Sequence, residues 1–220
     1  MPSPAERITE QFPALLAVPG VAHAFCRRVP GIDVAVDRCL ALERLGQCHD
    51  EVRAALGVGD RNFVFGEQVH GREVAIVDAH SAAPIGSVDG VITADLAVCL
   101  GVYVADCCAV YLVDPVRRVV ALLHSGRKGS ELSIVGVAIE RMREAFGCDP
   151  GDLIVQLSPC IRPPLYETDF AALIRSDAGR AGVQQIGDSG ACTGAGVDHY
   201  YSYRVERGKT GRMLALLALT

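Results

Sequence analysis

Residues 90–125 read GVITADLAVCLGVYVADCCAVYLVDPVRRVVALLHS, and this stretch decides the fold class. The apolar runs GVITAD, CLGVYVAD, CAVYLVD and RVVALLHS follow one another with short breaks, and Asp114-Pro115 makes a turn between the last two. Each run has strand length and is rich in valine, which reads as a succession of buried strands. The most apolar part, VCLGVYVADCCAVYLV, is interrupted by Asp106 and is too short and polar to span a bilayer.

On the N-terminal side, NFVFG from Asn62 and REVAIVD from Arg72 read as further short strands, with Val74 and Ile76 alternating. Residues 37–56 place Leu40, Leu45, Val52 and Leu56 among charges at near-helical spacing, with Asp37 as the cap. On the C-terminal side the period changes. Ile134, Ala138, Met142 and Phe146 form one helical stripe within a helix expected from Gly129 to Phe146. Leu153–Leu157 reads as a strand, and TDFAALIRSDAGRAG as a helix ended by glycine. The C-terminal MLALLAL fits strand or helix equally well. Consecutive strands with helices interspersed predict an α+β fold, not a regular β-α-β winding. There is no internal repeat, no GxGxxG after a strand, no P-loop and no GxSxG elbow.

A chain of 220 residues fits one domain, expected over residues 1–220, and is large enough to stand without disulfides or a structural metal. Its net charge of −5 argues against broad nucleic-acid or anionic-membrane binding, while leaving room for a basic pocket around a small anion. MPSPAERITEQF shows no basic start followed by an apolar run, so no secretion signal is expected. Nine cysteines without such a signal read as reduced thiols, most of them small buried residues, in a cytoplasmic protein.

None of the six histidines lies in an HExxH pattern, and no zinc-type Cys-x-x-Cys occurs. Three residues stand out by position alone. His70 in EQVHG falls between two strands, Cys107 lies at the end of a buried strand, and His124 ends another before the turn SGRKGS. Strand ends feeding loops are where a rigid scaffold leaves side chains accessible. Two imidazoles and a thiolate suit Zn²⁺ or copper with one position open. The plain alternative is a core cysteine and two satisfied histidines. If residues 103–108 are one strand, Cys107 points opposite to Asp106 and Cys108, so only one of the adjacent cysteines faces a given pocket. Spacing leaves open which.

Several motifs resemble, in order, those of the YfiH-like family, also called laccase-domain or multicopper polyphenol oxidoreductase-like proteins. EQVHG is similar to its QVHG, DGVITAD to DALVT, and VYVADCCAVYLVDP to its TADC segment. HSGRKGS falls where the family has HAGWRGT or HAGWKGT, LSPCIRPPLYE resembles its GPxI…YEV, and YYSYRVERGKTGRM follows YSYRRDGxTGRM. The matches run from about residue 23 to the C-terminus. The resemblance implies that His70, Cys107 and His124 are the metal-binding and catalytic trio, which decides for Cys107 over Cys108. It implies layered mixed β-sheets flanked by helices, related to the catalytic domain of cytotoxic necrotizing factor toxins.

The activities so implied are phosphorolysis of adenosine, inosine or methylthioadenosine and deamination of adenosine, with a purine nucleoside and phosphate as small-molecule partners. Amide hydrolysis of a peptidoglycan precursor by a Cys107 nucleophile is the rival enzyme reading, and a non-catalytic metal-binding or interaction protein is a third. Copper-dependent phenol oxidation ranks lower, because a copper cluster needs more imidazoles than six histidines readily supply. Arg28 in HAFCRR matches a family arginine and is expected to contact phosphate or substrate. Arg127 and Lys128 add cations beside His124, Arg127 replacing the family's tryptophan. Arg204 and Arg212 match family arginines expected to hold the C-terminal segment.

Overall fold

The structure, a computed structural model, describes residues 4–220. In chain order its elements are α1 (Pro4–Ile8), β1 (Thr9–Glu10), α2 (Pro13–Leu16), β2 (Val21–Cys26), α3 (Arg38–Ala55), β3 (Asn62–Phe65), β4 (Val74–Ile76) and β5 (Gly90–Thr93). Then follow β6 (Val98–Val104), β7 (Cys108–Asp114), β8 (Val119–Ser125), α4 (Arg127–Glu131), α5 (Ile134–Phe146), β9 (Ile154–Leu157), α6 (Phe170–Arg180), β10 (Gln185–Asp188) and β11 (Met213–Leu219).

The strands form two mixed sheets, ordered β1-β2-β11-β6-β3 and β10-β9-β7-β8-β5-β4. Parallel pairs lie toward the edges (β3 with β6, β9 with β10, β4 with β5), and the central pairings are antiparallel. Alternation along β7 shows how the layers stack. Ala109, Tyr111 and Val113 face the first sheet, whereas Cys108, Val110 and Leu112 face the core shared with α5 and α6. Both faces of the sheet are therefore covered, which is why β7 and β8 read as unbroken apolar runs. The Tyr111 hydroxyl donates to the Ala24 carbonyl at 2.9 Å and ties the two sheets together.

The α+β expectation holds, and the helix expected over 37–56 is α3, whose cap Asp37 accepts from the Cys39 and Leu40 amides. Three local expectations are corrected. Residues 103–108 are not one strand: β6 stops at Val104, the chain reverses with Asp106 at φ 82°, and β7 starts at Cys108. The helix expected from Gly129 is broken into α4 and α5 by Ser133 at φ 56°, a left-handed residue that a continuous helix excludes. REVAIVD forms a strand only over Val74–Ile76. The undecided MLALLAL is β11, fully buried between β2 and β6, and burial on both faces removes the alternation that would have revealed a strand. Among the described residues no helix is long and apolar enough to cross a membrane.

Candidate metal and substrate site

The antiparallel register of β7 and β8 pairs Cys108 with Ser125 and Ala109 with His124, so the β6–β7 turn lies beside the end of β8. Cys107 is the last residue of that turn, and its half-buried side chain packs on the first-sheet side. Cys108 turns the other way, with its sulfur against the Ser158 carbonyl. The third residue arrives on the β3–β4 connection, where Gln68 (φ 62°) and His70 (φ 60°) are left-handed. The Gln68 amide anchors this loop to the end of β6, donating to the Tyr103 carbonyl at 2.6 Å and accepting from its N–H at 3.0 Å.

One ligand atom from each of His70, Cys107 and His124 lies within 4.8 Å of the others. The two imidazoles meet edge to face, centroids 4.8 Å apart. His124 is buried and His70 exposed, so the trio has an inner and an outer member.

Asp89 organises the cluster. Its buried carboxylate accepts the His124 Nδ1–H at 2.8 Å and the backbone N–H groups of Val69 (3.2 Å), His70 (2.9 Å) and Gly71 (2.6 Å). One side chain thus holds the left-handed loop and fixes the His124 tautomer, leaving Nε2 to face Cys107. Burial alone would raise the Asp89 pKa, but the hydrogen bonds from His124 and Gly71 hold it below the usual carboxylate range. Burial likewise favours a neutral Cys107, yet the His124 charge and hydrogen bonds from both imidazoles bring its pKa down to about 6. For His124, burial is outweighed by the Cys107 charge and the Asp89 hydrogen bond, which lift it to about 9. Both shifts run toward a thiolate–imidazolium pair in the metal-free protein.

The donor set fits a single borderline ion: one ready thiolate, one imidazole oriented by a carboxylate, and one exposed imidazole able to adjust. The backbone makes room for it. A Cβ on Gly126 would stand 2.6 Å from the Cys107 sulfur, so the glycine of HSGRKGS is a condition of the cluster.

The trio opens into a cavity of about 510 Å³. Arg127 and Lys128 line it, as expected beside His124. Arg28 is placed elsewhere: its Nη2 pairs with Glu206 at 2.7 Å, its Nε donates to the Tyr200 carbonyl, its guanidinium lies over Tyr201, and it lines a second cavity. Arg28 thus does not share the trio's cavity, and its Nε and Nη2 join the C-terminal loop to the residues that follow β2. Arg204 donates its backbone N–H to Asp106 and its Nη2 to Glu167, while Arg212 projects into the cavity.

Sequence reasoning did not single out Asp89, Gln68, Asp106, Arg38 or the aromatic residues Tyr166, Phe170 and Tyr203 that line the cavity wall. Asp89 was legible as the first residue of DGVITAD, immediately before the strand β5 that the motif contains. Asp106 is buried and ties three loops, accepting from Thr193 Oγ1 and the Arg204 N–H through its carboxylate and from the Ile161 N–H through its carbonyl. The aromatic residues come from the loop before α6, its first residue and the C-terminal loop, and only folding assembles them.

Two mixed sheets presenting a His-Cys-His cluster to a cavity rich in cations define an α+β protein with a metal-competent small-molecule site. The chain belongs to the family described as multi-copper polyphenol oxidoreductase laccase, whose profile matches residues 41–171 and 166–220. A purine nucleoside phosphorylase of Streptomyces coelicolor is 33% identical over 186 residues, covering 72% of this chain and 76% of that one. One from Deinococcus radiodurans is 30% identical over 241 residues, covering 93% and 92%. The crystal structure of YlmD from Geobacillus stearothermophilus shares the fold, with a TM-score of 0.81 at 23% identity over 96% of this chain and 98% of that one.

Proposed function

We propose that this chain is a single-domain, zinc-dependent purine nucleoside enzyme that splits adenosine, inosine or methylthioadenosine with phosphate, or deaminates adenosine. The observation that carries the reading is the His70-Cys107-His124 trio opening into a cavity walled by both cations and aromatic rings. The names of the Streptomyces and Deinococcus relatives support the nucleoside class.

His70, Cys107 and His124 would hold the ion, with Asp89 keeping His124 in the ligating tautomer. When bound, zinc (or copper) supplies a Lewis acid that polarises a phosphate or water oxygen at the cavity floor. Arg127 and Lys128 draw the anionic reactant toward the trio. Tyr166, Phe170 and Tyr203 offer rings to a purine, replacing the aromatic surface missing at Arg127. In phosphorolysis a phosphate oxygen bonds to ribose C1′ as the bond from C1′ to the base breaks. In deamination water adds at C6 and ammonia leaves. With two imidazoles in the trio, the donor set suits one ion better than a copper cluster, so phenol oxidation is the weaker reading.

A second reading rests on one feature. Cys107, His124 and Asp89 stand in the order thiol, imidazole, carboxylate, which is the arrangement of a cysteine nucleophile with its oriented base. It supports amide hydrolysis, with a peptidoglycan precursor as substrate.

Chromatography of adenosine incubated with phosphate, or in water alone, tests the first reading on wild type and Cys107→Ala, before and after chelation and zinc re-addition. Adenine, ribose 1-phosphate or inosine that disappears on chelation and returns with zinc is the expected result. No product above the Cys107→Ala background from zinc-replete protein would overturn it. Turnover of an amide by chelated protein would establish the hydrolase.

A further inference from the structure

The chain carries a net charge of −5, yet the cavity at the trio concentrates positive charge. Arg38, Arg127, Lys128, Arg204 and Arg212 line it, against one lining carboxylate, Asp106. Asp106 is committed to Thr193 and the Arg204 backbone. Arg204 is neutralised by Glu167 at 3.0 Å, and Arg127 stands between Glu167 (3.6 Å) and Glu131 (3.8 Å). Among the described residues Arg38, Lys128 and Arg212 form no ion pair.

Arg212 is the most preorganised of the three. It is half-buried, its Nη1 donates at 2.8 Å to the Thr210 and Gly211 carbonyls, and its guanidinium lies over the Tyr203 ring. Its Nε and Nη2 have no protein partner among the described residues. Arg38, the first residue of α3, is exposed and lines the same cavity. Burial pushes the Arg212 guanidinium down, and the neighbouring Arg38 charge pushes it further the same way. Two guanidinium groups lining one cavity, neither held in an ion pair among the described residues and one with an open edge, suit an anion with several oxygens.

We propose that Arg38 and Arg212 form the phosphoryl-binding seat of this cavity. The inference rests on the nucleoside reading for its setting and adds which cations hold the phosphate group once Arg127 and Lys128 have drawn it in: Arg38 and Arg212. The same seat would accept inorganic phosphate as co-reactant or the phosphate of a nucleotide substrate.

Calorimetric titration of the purified full-length protein with inorganic phosphate, adenosine 5′-monophosphate and adenosine tests it in wild type, Arg38→Gln, Arg212→Gln, Lys128→Gln and the surface control Arg143→Gln. Loss of a charge-assisted hydrogen-bonding partner should weaken phosphate binding at least about tenfold in each of the Arg38 and Arg212 variants. The control should leave it unchanged. If the nucleotide weakens equally while adenosine does not, the phosphoryl group belongs to the substrate. If the nucleotide is unaffected, it belongs to free phosphate. Either result supports the seat. Should Arg212→Gln unfold, Arg212→Lys, which keeps the charge without the fork, should still weaken phosphate binding. Phosphate affinity unmoved by Arg38→Gln or by the folded Arg212 variant, or lost only with Lys128→Gln, would overturn the proposal. Because binding is read without turnover, a protein that binds phosphate here but splits no nucleoside keeps the seat and loses the nucleoside reading.

Discussion

Replacing Asp89 with asparagine removes one oxygen from a carboxylate that serves four donors. With the amide oxygen kept in the Oδ1 position, His70 N–H and His124 Nδ1–H retain an acceptor, and the Val69 and Gly71 N–H groups face an NH₂. The flipped rotamer satisfies those two and abandons the others. Two donors lose their partner either way, and at ~1–3 kcal/mol for each buried group left unsatisfied, with the part-buried Val69 and Gly71 amides at the low end, the variant should lose about 2 kcal/mol or more. For a chain of this length that lowers Tm by at least about 4 °C, at ~2–4 °C per kcal/mol. Zinc affinity should fall about 10–100-fold, since the group orienting a ligating histidine is gone. Thermal melts of metal-free protein and chelator-competition titrations with zinc measure the two effects separately. The sign with pH also follows. Asp89 has a depressed pKa in the folded state, so its contribution is present above the unfolded carboxylate pKa and fades as pH falls through the folded value. The gap between wild type and Asp89→Asn should therefore close in strong acid. A variant that melts within about 1 °C of wild type near neutrality and binds zinc within about twofold would refute the account of Asp89.

Elemental analysis should find about one zinc per chain, lost in His70→Ala, Cys107→Ala and His124→Ala but retained in Cys108→Ala, whose side chain packs away from the cluster; the reverse cysteine pattern would reject the assignment. In metal-free protein, iodoacetamide modification of Cys107 should rise with pH through a midpoint near 6 and level off. Zinc should slow it, and His124→Ala should move the midpoint up toward an ordinary thiol; a wild-type midpoint near that of free cysteine would disprove the thiolate–imidazolium pair. Gly126→Ala should cut zinc affinity with little change in fold, because its Cβ would stand 2.6 Å from the Cys107 sulfur; unchanged zinc binding would show that the sulfur has room to move.

The strands of residues 90–125 were legible because each is short, apolar and bounded by a polar break. Alternation could not be used on β7, β8 or β11, whose residues are buried on both faces. The Cys107-versus-Cys108 choice is instructive. The two side chains do face opposite cores, but across the start of a new strand and not along a continuous one, so alternation gave the right opposition from an incorrect local structure. A motif match reports that an arginine is needed at position 28 but not where it lies, and its Glu206 partner, 178 positions away, holds it outside the trio's cavity.

By itself the sequence determined the run of strands from Asn62 to Ser125 and the helices α3, α5 and α6, because periodicity and capping are local properties, but it left β11 undecided. Through motif resemblance it also indicated which three side chains could meet an ion. Only the tertiary structure decided how they meet. The carboxylate that orients His124 is 35 residues away from it, the glycine that leaves room for the Cys107 sulfur lies on another strand's end, and the cations and aromatic rings of the cavity come from loops spread along the chain. Hydrogen bonds, like-charge proximity and close approach are set by distance in space, and the packing of two sheets and their covering helices fixes that distance.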